Sequence, residues 1–525
     1  MRILISDQVE KVCADILRGE GFEVDEKPGM KADELKKTIP SYAGLVVRST
    51  TQVTADVIAA ASALRVIGRA GAGVDNIDCD AATRKGVVVM NTPGGNTIST
   101  AEHTMSMILS LSRNIPQAFE SLRQGKWERT KYIGTELLGK TVGIVGLGKV
   151  GREVGIRCQA FGMVTVGFDP VLSAEVASRL KIELVSLEEL YNRSDFITVH
   201  TPLNDETRGL IADAQIARCK DHVRIVNCAR GGIIDEGALL RGLESGKVAG
   251  AALDVFLNEP PTDHPLLKHA KVIATPHLGA STEEAQEKVA KQIGVQIADF
   301  LKERGTAGAV NAEVVQLAMR EDLKPFVLMG EKLGSLQAQL MGGKLRRITV
   351  TTSGFHLARS SELISAAVLK GVLSHRLSEP VNLVNAPLIA RELGVTIEEH
   401  REPDGGPYTH LIKVEYQSDE GTRTAAGTVF GNTHLRIVQV DEYHLEIVPE
   451  GTMLFYRNVD RPGMLASVGG ILSVAGINIA GLALGRDKPG QKALTIINVD
   501  DEIGPEIIAK MQKIDGVFEV KPAKL

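Results

Sequence analysis

Short apolar, β-branched runs alternate with amphipathic stretches over roughly the first half of the chain. The runs predict strands, and the stretches between them predict helices. The first five predicted strands lie at 2–6, 22–25, 44–48, 64–68 and 87–90. Six more lie at 141–146, 163–168, 195–200, 223–228, 249–254 and 271–275. Because strands that alternate with helices form parallel sheets, the pattern predicts an α/β fold with two doubly wound, Rossmann-like domains.

Two long helical patterns, near 98–113 and 282–303, flank the second series of strands. The later helix could carry the chain back to the first unit, which would make the first domain discontinuous in sequence. We therefore expect one domain formed by residues 1–97 plus 283–308 and a second formed by residues 98–282.

Beyond residue 308 the chain alternates in the antiparallel style, with one predicted helix around 360–374. The alternating segments lie at 345–352, 410–416, 423–430, 435–440 and 443–448. This pattern predicts an α+β intervening domain over residues 309–449. Residues 450–525 follow the order β-α-β-β-α-β, which predicts a ferredoxin-like domain.

Composition narrows the classes of function. The 525 residues include 60 Lys and Arg against 65 Asp and Glu, a net charge of −5 without a block of like charges. Such a chain lacks the electrostatic footprint of a nucleic-acid or membrane-surface protein. Its five cysteines form no C-x-x-C pair, so no metal site is predicted. The apparent lack of a signal peptide or a long apolar run predicts a cytoplasmic protein.

A dinucleotide-binding motif follows the predicted strand at 141–146. Gly146, Gly148 and Gly151 form G-x-G-x-x-G at the start of a helix, where they allow a tight turn, close approach to a pyrophosphate and helix packing. Asp169 ends the next strand, 21 residues after Gly148, where a carboxylate would accept hydrogen bonds from ribose hydroxyls and repel a 2′-phosphate. The alternative is a glycine-rich turn with a surface aspartate.

A second glycine cluster, Gly71-Ala72-Gly73, ends the strand at 64–68. It lacks a third glycine and a downstream acid. Its backbone N–H groups could hold a carboxylate or phosphate across the cleft, and a plain tight turn is the equal alternative.

Rare polar residues end three further strands, at Asn227–Gly232, Asp254–Pro260 and Thr275–Gly279. They include Arg230, Glu259 and His277, spaced 29 and 18 residues apart. These segments, with the glycine motif and His200-Thr201-Pro202-Leu203, resemble the D-isomer-specific 2-hydroxyacid dehydrogenase family. The resemblance implies that Arg230, Glu259 and His277 are catalytic.

The chemistry of the three side chains agrees with that implication. A guanidinium offers two parallel N–H groups to a substrate carboxylate. Oxidation of a secondary alcohol needs a base for the hydroxyl proton, and a carboxylate beside an imidazole stabilises the imidazolium. We therefore expect Arg230 to bind the substrate, His277 to be the acid/base and Glu259 to be its partner. An unpaired His200, and His103 inside a long helix, are expected to be structural.

The resemblance also implies binding roles for other residues. NAD is the expected cofactor, and its expected contacts are Gly146, Gly148, Lys149, Val150, Gly151, Asp169, Thr201, Pro202, Thr207, Cys228, Ala229, Asp254 and Gly279. The expected substrate contacts are Arg48, Ser49, Gly71, Ala72, Gly73, Asn96, Arg129 and Lys131. Arg129 and Lys131 could come from a neighbouring subunit, and solvated surface charges are the alternative for both.

Segments 46–50, 68–76, 91–96 and 125–129, with the two C-terminal domains, make the chain similar over its full length to long-form members of the family, whose substrate carries a phosphate and a carboxylate. The similarity implies that residues 1–97 plus 283–308 form a substrate-binding domain, residues 98–282 an NAD-binding Rossmann domain and residues 309–449 an intervening regulatory domain. The last domain resembles an ACT domain, an allosteric module. There the resemblance implies Asn458, Asp460 and Asn478 as an effector site for L-serine, in a homo-oligomer that is a dimer or tetramer. The sole tryptophan, Trp127, is a candidate subunit contact.

Two other functions remain open. One is another NAD-dependent D-2-hydroxyacid dehydrogenase, such as a glyoxylate or hydroxypyruvate reductase, which would not need the residues after about 310. The other is an NAD-sensing, co-repressor-like binding protein with the same triad. A disordered tail would favour that class, whereas this chain ends in an ordered pattern.

Overall fold

The structure is a computed structural model that describes residues 1–378, 380–404, 406–431, 433–486 and 488–525. It contains four sheets, and each is built from a separate stretch of the chain. Within the described residues, no helix is long and apolar enough to cross a membrane.

The first sheet is parallel and has the strand order β2-β1-β3-β4-β5. Its strands are β1 (Arg2–Ile5), β2 (Glu23–Glu26), β3 (Gly44–Val47), β4 (Val66–Arg69) and β5 (Val88–Met90). Its helices are α1 (Val12–Gly19), α2 (Ala32–Thr38), α3 (Ala55–Ala60) and α4 (Cys79–Lys85), with a 3-10 helix at Ile39–Ser41. The apolar runs predicted these strands because both faces of a parallel sheet are covered by helices.

The second sheet is also parallel, with the order β12-β11-β10-β9-β6-β7-β8. The chain enters it through helices α5 (Thr97–Arg113) and α6 (Ile115–Arg123) and a 3-10 helix at Arg129–Tyr132. Its strands are β6 (Thr141–Val145), β7 (Val164–Phe168), β8 (Glu183–Leu184), β9 (Phe196–Val199), β10 (Val223–Asn227), β11 (Val248–Leu253) and β12 (Val272–Ala274). Its helices are α7 (Lys149–Ala160), α8 (Ala174–Arg179), α9 (Leu187–Arg193), α10 (Asp213–Arg218), α11 (Glu236–Glu244) and α12 (Pro265–Lys268). The predicted α/β class with two parallel sheets is confirmed.

Helix α13 (Glu283–Leu301) returns the chain to the first sheet. Its apolar face, including Val289, Ile293 and Ile297, joins the same core as Ile3, Val46 and Val66. The close fit requires Gly68 in β4, because a Cβ there would lie 2.8 Å from Ile293 Cγ1. The first sheet is therefore covered by helices from two distant parts of the chain.

The third sheet has the order β14-β13-β15-β16-β17-β18. Its strands are β13 (Leu345–Ser353), β14 (Thr396–Glu402), β15 (Leu411–Ser418), β16 (Gly421–Phe430), β17 (His434–Val440) and β18 (Tyr443–Ile447). The helices in this region are α14 (Glu313–Ala318), α15 (Lys324–Leu340), α16 (Phe355–Ala358), α17 (Ser361–Ser374) and α18 (Ala386–Glu392).

Two expectations for this region were wrong. The structure has five helices where the sequence predicted one, and the sheet is mixed because β14 pairs in parallel with β13. β14 is an edge strand of mostly exposed polar residues, so it shows no apolar alternation. The α+β class of the region is nevertheless confirmed.

The fourth sheet is antiparallel, with the order β20-β21-β19-β22. Its elements are β19 (Thr452–Val459), α19 (Met464–Val474), β20 (Ile479–Arg486), β21 (Lys492–Val499), α20 (Pro505–Gln512) and β22 (Val517–Lys524). Helices α19 and α20 cover one face of the sheet. The other face shares a core with the third sheet, through Met453, Phe455, Leu494 and Ile496. The predicted ferredoxin-like order is confirmed.

Candidate active site

The carboxyl-terminal ends of the two parallel sheets face each other across a cleft. In such sheets ligands bind beyond these ends, where the order of strands reverses. In the first sheet that point lies between β1 and β3, and in the second between β6 and β9. Two polar contacts span the cleft: Arg230 to Asp75 at 3.0 Å, and Lys149 Nζ to the Pro93 carbonyl at 3.2 Å. The predicted residues from both halves therefore meet at one site.

The glycine motif forms the turn between β6 and α7. Gly146 has a φ of 92°, and a Cβ on Gly151 would collide with the Gly146 carbonyl oxygen. Among the residues that the structure describes, nothing lies within 4 Å of a Cβ placed on Gly148, so the middle of the turn is open. Within the same residues, no side chain caps the start of α7. The amides of this first turn are therefore available to an anionic group, as a dinucleotide diphosphate requires.

Asp169 lies beside that turn and is held by three backbone amides. Its carboxylate accepts from Leu147 at 2.8 Å and from Val171 and Leu172 at 2.9 Å each. Burial alone would raise the pKa of Asp169, but these amides and Arg152 lower it below its ordinary value. The carboxylate is ionised at neutral pH and fixed at the end of β7, where ribose hydroxyls would lie.

Other predicted cofactor contacts line the same edge of the sheet. Thr201 Oγ1 is buried and has no hydrogen-bond partner in the described part of the chain, so a bound ligand could satisfy it. Thr207 Oγ1 donates to the Pro202 carbonyl at 2.6 Å. Burial raises the pKa of the Cys228 thiol to about 12, so this cysteine is a neutral wall residue. These residues and the open glycine turn fit NAD.

His277 and Glu259 form a direct pair. His277 Nδ1 lies 2.8 Å from Glu259 Oε2, and the other oxygen of Glu259 accepts from the Phe256 amide at 3.1 Å. Burial would raise the pKa of Glu259, but the His277 hydrogen bond and the Phe256 amide lower it. Because Nδ1 is bound to the carboxylate, Nε2 is the imidazole nitrogen left to exchange a proton with substrate.

The backbone at His277 is also unusual. His277 has a φ of 56°, in the left-handed region that costs a non-glycine residue about 1 kcal/mol. Its amide donates to the Asp254 carbonyl at 2.9 Å. Strained residues of this kind occur at functional sites when neighbouring contacts fix them.

Asp254 holds much of the backbone around His277 in place. Its carboxylate, 1% exposed, accepts from the Leu278 amide at 2.7 Å, the Gly279 amide at 2.8 Å and Thr275 Oγ1 at 2.6 Å. His103 Nε2 lies 3.2 Å away. In this structure the carboxylate is therefore occupied by protein groups, and its predicted contact with the nicotinamide carboxamide stays a prediction.

His103 has a contact that its place in a helix does not predict. The sequence predicts a packing or capping residue, and in the structure His103 pairs with Asp254, 151 positions away. His200 Nε2 lies 3.0 Å from Thr198 Oγ1, and burial lowers the pKa of His200 to about 4. His200 is thus neutral at physiological pH and structural, as expected.

Three arginines approach the glycine turn after β4. Burial lowers the pKa of Arg69, and the nearby positive charges of Arg230 and Arg48 lower it further. A Cβ on Gly71 would lie 2.5 Å from Arg69 Nη1, and a Cβ on Gly73 would collide with Arg230 Nη2. A side chain at either position would displace a guanidinium, because the guanidiniums lie directly against the backbone. This cluster of positive charge fits a substrate that carries both a carboxylate and a phosphate.

Sequence reasoning missed Arg69 and the residue that orients it. Asn76 is buried; its Oδ1 accepts from Arg69 Nε at 2.7 Å, and its Nδ2 donates to the Arg48 and Thr51 carbonyls, both at 2.7 Å. Asp7 accepts from the Arg48 amide at 2.6 Å. The available signal was an arginine that ends an otherwise apolar strand.

The remaining predicted substrate residues are less closely associated with the arginine cluster. Ser49 is exposed after Arg48, and Asn96 is the N-cap residue of α5. Arg129 and Lys131 lie in the exposed 3-10 helix, where Lys131 pairs with Glu128 at 3.5 Å. Among the described residues, no hydrogen bond or ion pair joins these two side chains to the arginine cluster. Their substrate role stays a prediction.

The predicted effector residues lie at both ends of the fourth sheet, and each has a different partner. Asn458 pairs with Ala493 of β21, whereas Ile479, next to Asn478, pairs with Val499 at the other end of that strand. Asp460 pairs with Arg486 at 3.2 Å, and Asn478 donates to Asp500 at 2.7 Å. Asn458 is buried; its Nδ2 donates to the Val459 carbonyl at 2.7 Å, and its Oδ1 has no partner in the described part of the chain. Their joint binding of an effector stays a prediction.

Comparison with known proteins decides the family. Residues 105–279 match the D-isomer specific 2-hydroxyacid dehydrogenase NAD binding domain, residues 322–441 the D-3-phosphoglycerate dehydrogenase intervening domain, and residues 452–516 the ACT domain. D-3-phosphoglycerate dehydrogenase from Archaeoglobus fulgidus is 44% identical and covers 100% of both chains. The Homo sapiens enzyme is 45% identical over 91% of each chain. The chain belongs to the D-3-phosphoglycerate dehydrogenase family.

One of the similar solved structures contains NAD. D-Lactate dehydrogenase from Aquifex aeolicus, in complex with NAD and lactic acid, is 26% identical with a TM-score of 0.53, covering 58% of this chain and 96% of its own. The family membership identifies the second sheet as part of an NAD-binding domain and confirms the predicted resemblance.

Proposed function

We propose that this protein oxidises D-3-phosphoglycerate to 3-phosphohydroxypyruvate with NAD, as the first step of serine biosynthesis. The observation that carries the proposal is that Arg48 and Arg69 of the first sheet lie near Arg230, which comes from the second sheet together with His277 and Glu259. A short hydroxy acid needs one guanidinium for its carboxylate. A phosphorylated one needs further cationic groups, which Arg48 and Arg69 supply.

In the reaction, Arg230 binds the substrate carboxylate and thereby orients C2. Arg48 and Arg69 bind the phosphate beside the turn Gly71–Gly73, against which Arg69 and Arg230 lie. His277 Nε2 accepts the hydroxyl proton as the C2 hydride leaves, and Glu259 stabilises the resulting imidazolium. Bound NAD supplies the acceptor for the hydride. In the reverse direction the His277 imidazolium returns the proton to the carbonyl oxygen.

The test is reduction of phosphohydroxypyruvate by the purified protein, followed as loss of NADH absorbance. Hydroxypyruvate and glyoxylate are the matched comparisons, because they keep the 2-keto acid and lack the phosphate. A clear preference for the phosphorylated substrate is expected. Equal rates on all three would favour a general 2-hydroxyacid dehydrogenase, and no turnover with tight NADH binding would favour the sensing protein.

We further propose a homo-oligomer, a dimer or tetramer, with L-serine as the effector. Trp127 is 76% exposed, and Phe119 and Leu122 on α6 are 60% and 56% exposed, which is typical of a surface that contacts a second copy. The edge strands β20 and β22 carry exposed Leu484 and Phe518, so the ACT sheet can also pair across subunits. Because Asn478 lies at the other end of the sheet from Asn458 and Asp460, one effector would contact all three only across such a subunit interface. Sedimentation of the purified protein tests the assembly, and a monomer would overturn it.

A further inference from the structure

Asp75 is a carboxylate of the first sheet that bridges the cleft to Arg230. It lies in the turn after β4, two residues beyond Gly73, and its Oδ2 accepts from Arg230 Nε at 3.0 Å. The side chain of Asp75 is 63% exposed, whereas that of Arg230 is 30% exposed. The two residues come from different sheets, 155 positions apart.

The contacts of Arg230 show what this bridge does. Arg230 Nη1 donates to the Ala229 carbonyl at 2.7 Å, and Nε donates to Asp75. Nη2 has no hydrogen-bond partner within the residues described, and it lies against the backbone of Gly73. Two edges of the guanidinium are thus held by protein, and the remaining N–H groups point toward the glycine turn where substrate binds.

We propose that Asp75 is a positioning residue, which fixes the orientation of the Arg230 guanidinium from the opposite side of the cleft. This inference deepens the proposed function, because Arg230 is the expected ligand of the substrate carboxylate. A long arginine side chain loses rotamer freedom when it binds a ligand, and a fixed guanidinium has less to lose. The substrate carboxylate then binds an arginine that is already aligned.

Asp75 could act in the opposite way, as a negative charge that repels the anionic substrate. The two roles predict opposite signs. If repulsion dominates, replacing Asp75 with a neutral residue strengthens the binding of anions. If positioning dominates, the same replacement weakens the binding of the carboxylate, even though the cleft becomes more positive.

The experiment measures binding of oxamate, a planar analogue of a 2-keto acid, to the full-length protein with NADH bound. For Asp75→Asn we expect about five-fold weaker oxamate binding, the upper range for a partly exposed ion pair. The Michaelis constant for phosphohydroxypyruvate should rise by a similar factor, and kcat should change less. Asp80→Asn is the matched control, because Asp80 is an exposed aspartate in the first turn of α4. It removes the same charge and should leave both values unchanged.

Two further measurements separate positioning from general damage. Inorganic phosphate should inhibit wild type and Asp75→Asn equally, because it binds Arg48 and Arg69. In an Arg230→Lys background, which has no Nε, Asp75→Asn should have no further effect on oxamate binding. Unchanged or tighter oxamate binding in Asp75→Asn overturns the proposal, as does an undiminished loss in the Arg230→Lys background or an equal loss of phosphate inhibition.

The oxamate measurement does not depend on turnover of phosphohydroxypyruvate. If wild type failed to reduce that substrate but Asp75→Asn weakened oxamate binding as expected, the proposed substrate would be wrong and the role of Asp75 would stand. If turnover were as proposed and oxamate binding did not change, only the role of Asp75 would fail.

Discussion

The catalytic cleft and the candidate effector site of the ACT domain differ in how their polar groups are held. In the cleft, the acid/base and several charged groups have neighbours that fix them: Glu259 orients His277, Asn76 orients Arg69, and three amides hold Asp169. Thr201 Oγ1, at the cofactor edge, is an exception. At the end of the ACT sheet, Asn458 keeps a buried oxygen without a partner in the described chain.

That difference has a physical meaning. Groups that are already oriented bind substrate or stabilise a transition state without first losing conformational freedom. A buried oxygen without a partner costs free energy until a ligand or a second subunit satisfies it. The catalytic side chains of the cleft are thus already ordered for chemistry, whereas the Asn458 oxygen gains a partner only when something binds beside it.

The largest effect is expected for His277→Ala, which removes the acid/base of the cleft. We expect kcat to fall by about 10²–10⁴, the usual contribution of a positioned acid/base. NADH affinity, measured by fluorescence, should be nearly unchanged, because His277 is not expected to touch the dinucleotide. His444→Ala is the control, since His444 is exposed on β18 in the intervening region. A fully active His277→Ala protein would contradict the mechanism.

The second test concerns Arg69, which the pattern of the sequence did not single out. Arg69→Ala should raise the Michaelis constant for phosphohydroxypyruvate by about 10–100-fold, the range for a lost charge-assisted hydrogen bond. The constant for hydroxypyruvate, which has no phosphate, should change far less. An equal rise for both substrates would show that Arg69 does not bind the phosphate.

The third test concerns the ribose site. Asp169→Ser should weaken NAD binding by about ten-fold, the loss expected for a hydrogen bond to a charged group, and should improve the use of NADP. Asp169→Arg should improve NADP further, because a guanidinium can pair with the 2′-phosphate. Steady-state kinetics with both cofactors measures this. If the wild type used NAD and NADP equally, the ribose assignment would be wrong.

The fourth test is the pH dependence of Glu259→Gln. The pKa of Glu259 is lowered in the folded protein, so the carboxylate is ionised at neutral pH. The favourable contribution of its charge is lost only as the pH falls through that lowered pKa. Without its charge the His277 imidazolium is less stable. Alcohol oxidation by Glu259→Gln should be about five-fold slower, the size of an ion-pair effect. The acidic limb of its pH–rate profile should move to lower pH. A profile that superimposes on the wild-type profile would remove Glu259 from this role.

The smallest effect is expected at the ACT domain. Asn478→Ala should be inhibited by serine a few-fold more weakly than the wild type, a difference of about the free energy of one hydrogen bond. Activity without serine should be unchanged, because Asn478 lies far from the catalytic cleft in the fold. A serine titration of both proteins decides the matter, and equal sensitivity would place the effector elsewhere.

Sequence reasoning located the parts of the site that follow strands. The glycine turn, Asp169, Arg230 and His277 were found because a polar residue after an apolar run ends a parallel strand. The sequence pattern does not predict contacts between distant segments of the chain. The pairing of His103 with Asp254 depends on where α5 crosses the second sheet, and the bridge from Asp75 to Arg230 depends on how the two sheets face each other.

The same limit explains the errors in the third region. β14 is polar and exposed, so its strand nature comes from pairing with β13 rather than from any pattern of its own. β8 has only two residues and could not produce a period.

The shared core of the third and fourth sheets has a consequence for how this protein could be taken apart. Met453 and Phe455 of β19 lie in one cluster with Leu333 and Leu336 of α15, and Lys521 of β22 donates to the Leu340 carbonyl at 2.6 Å. A cut before residue 451 would turn that interior into an exposed apolar face. The two C-terminal regions are therefore one unit for engineering, to be grafted or deleted together, and a regulatory module exchanged between enzymes should carry both.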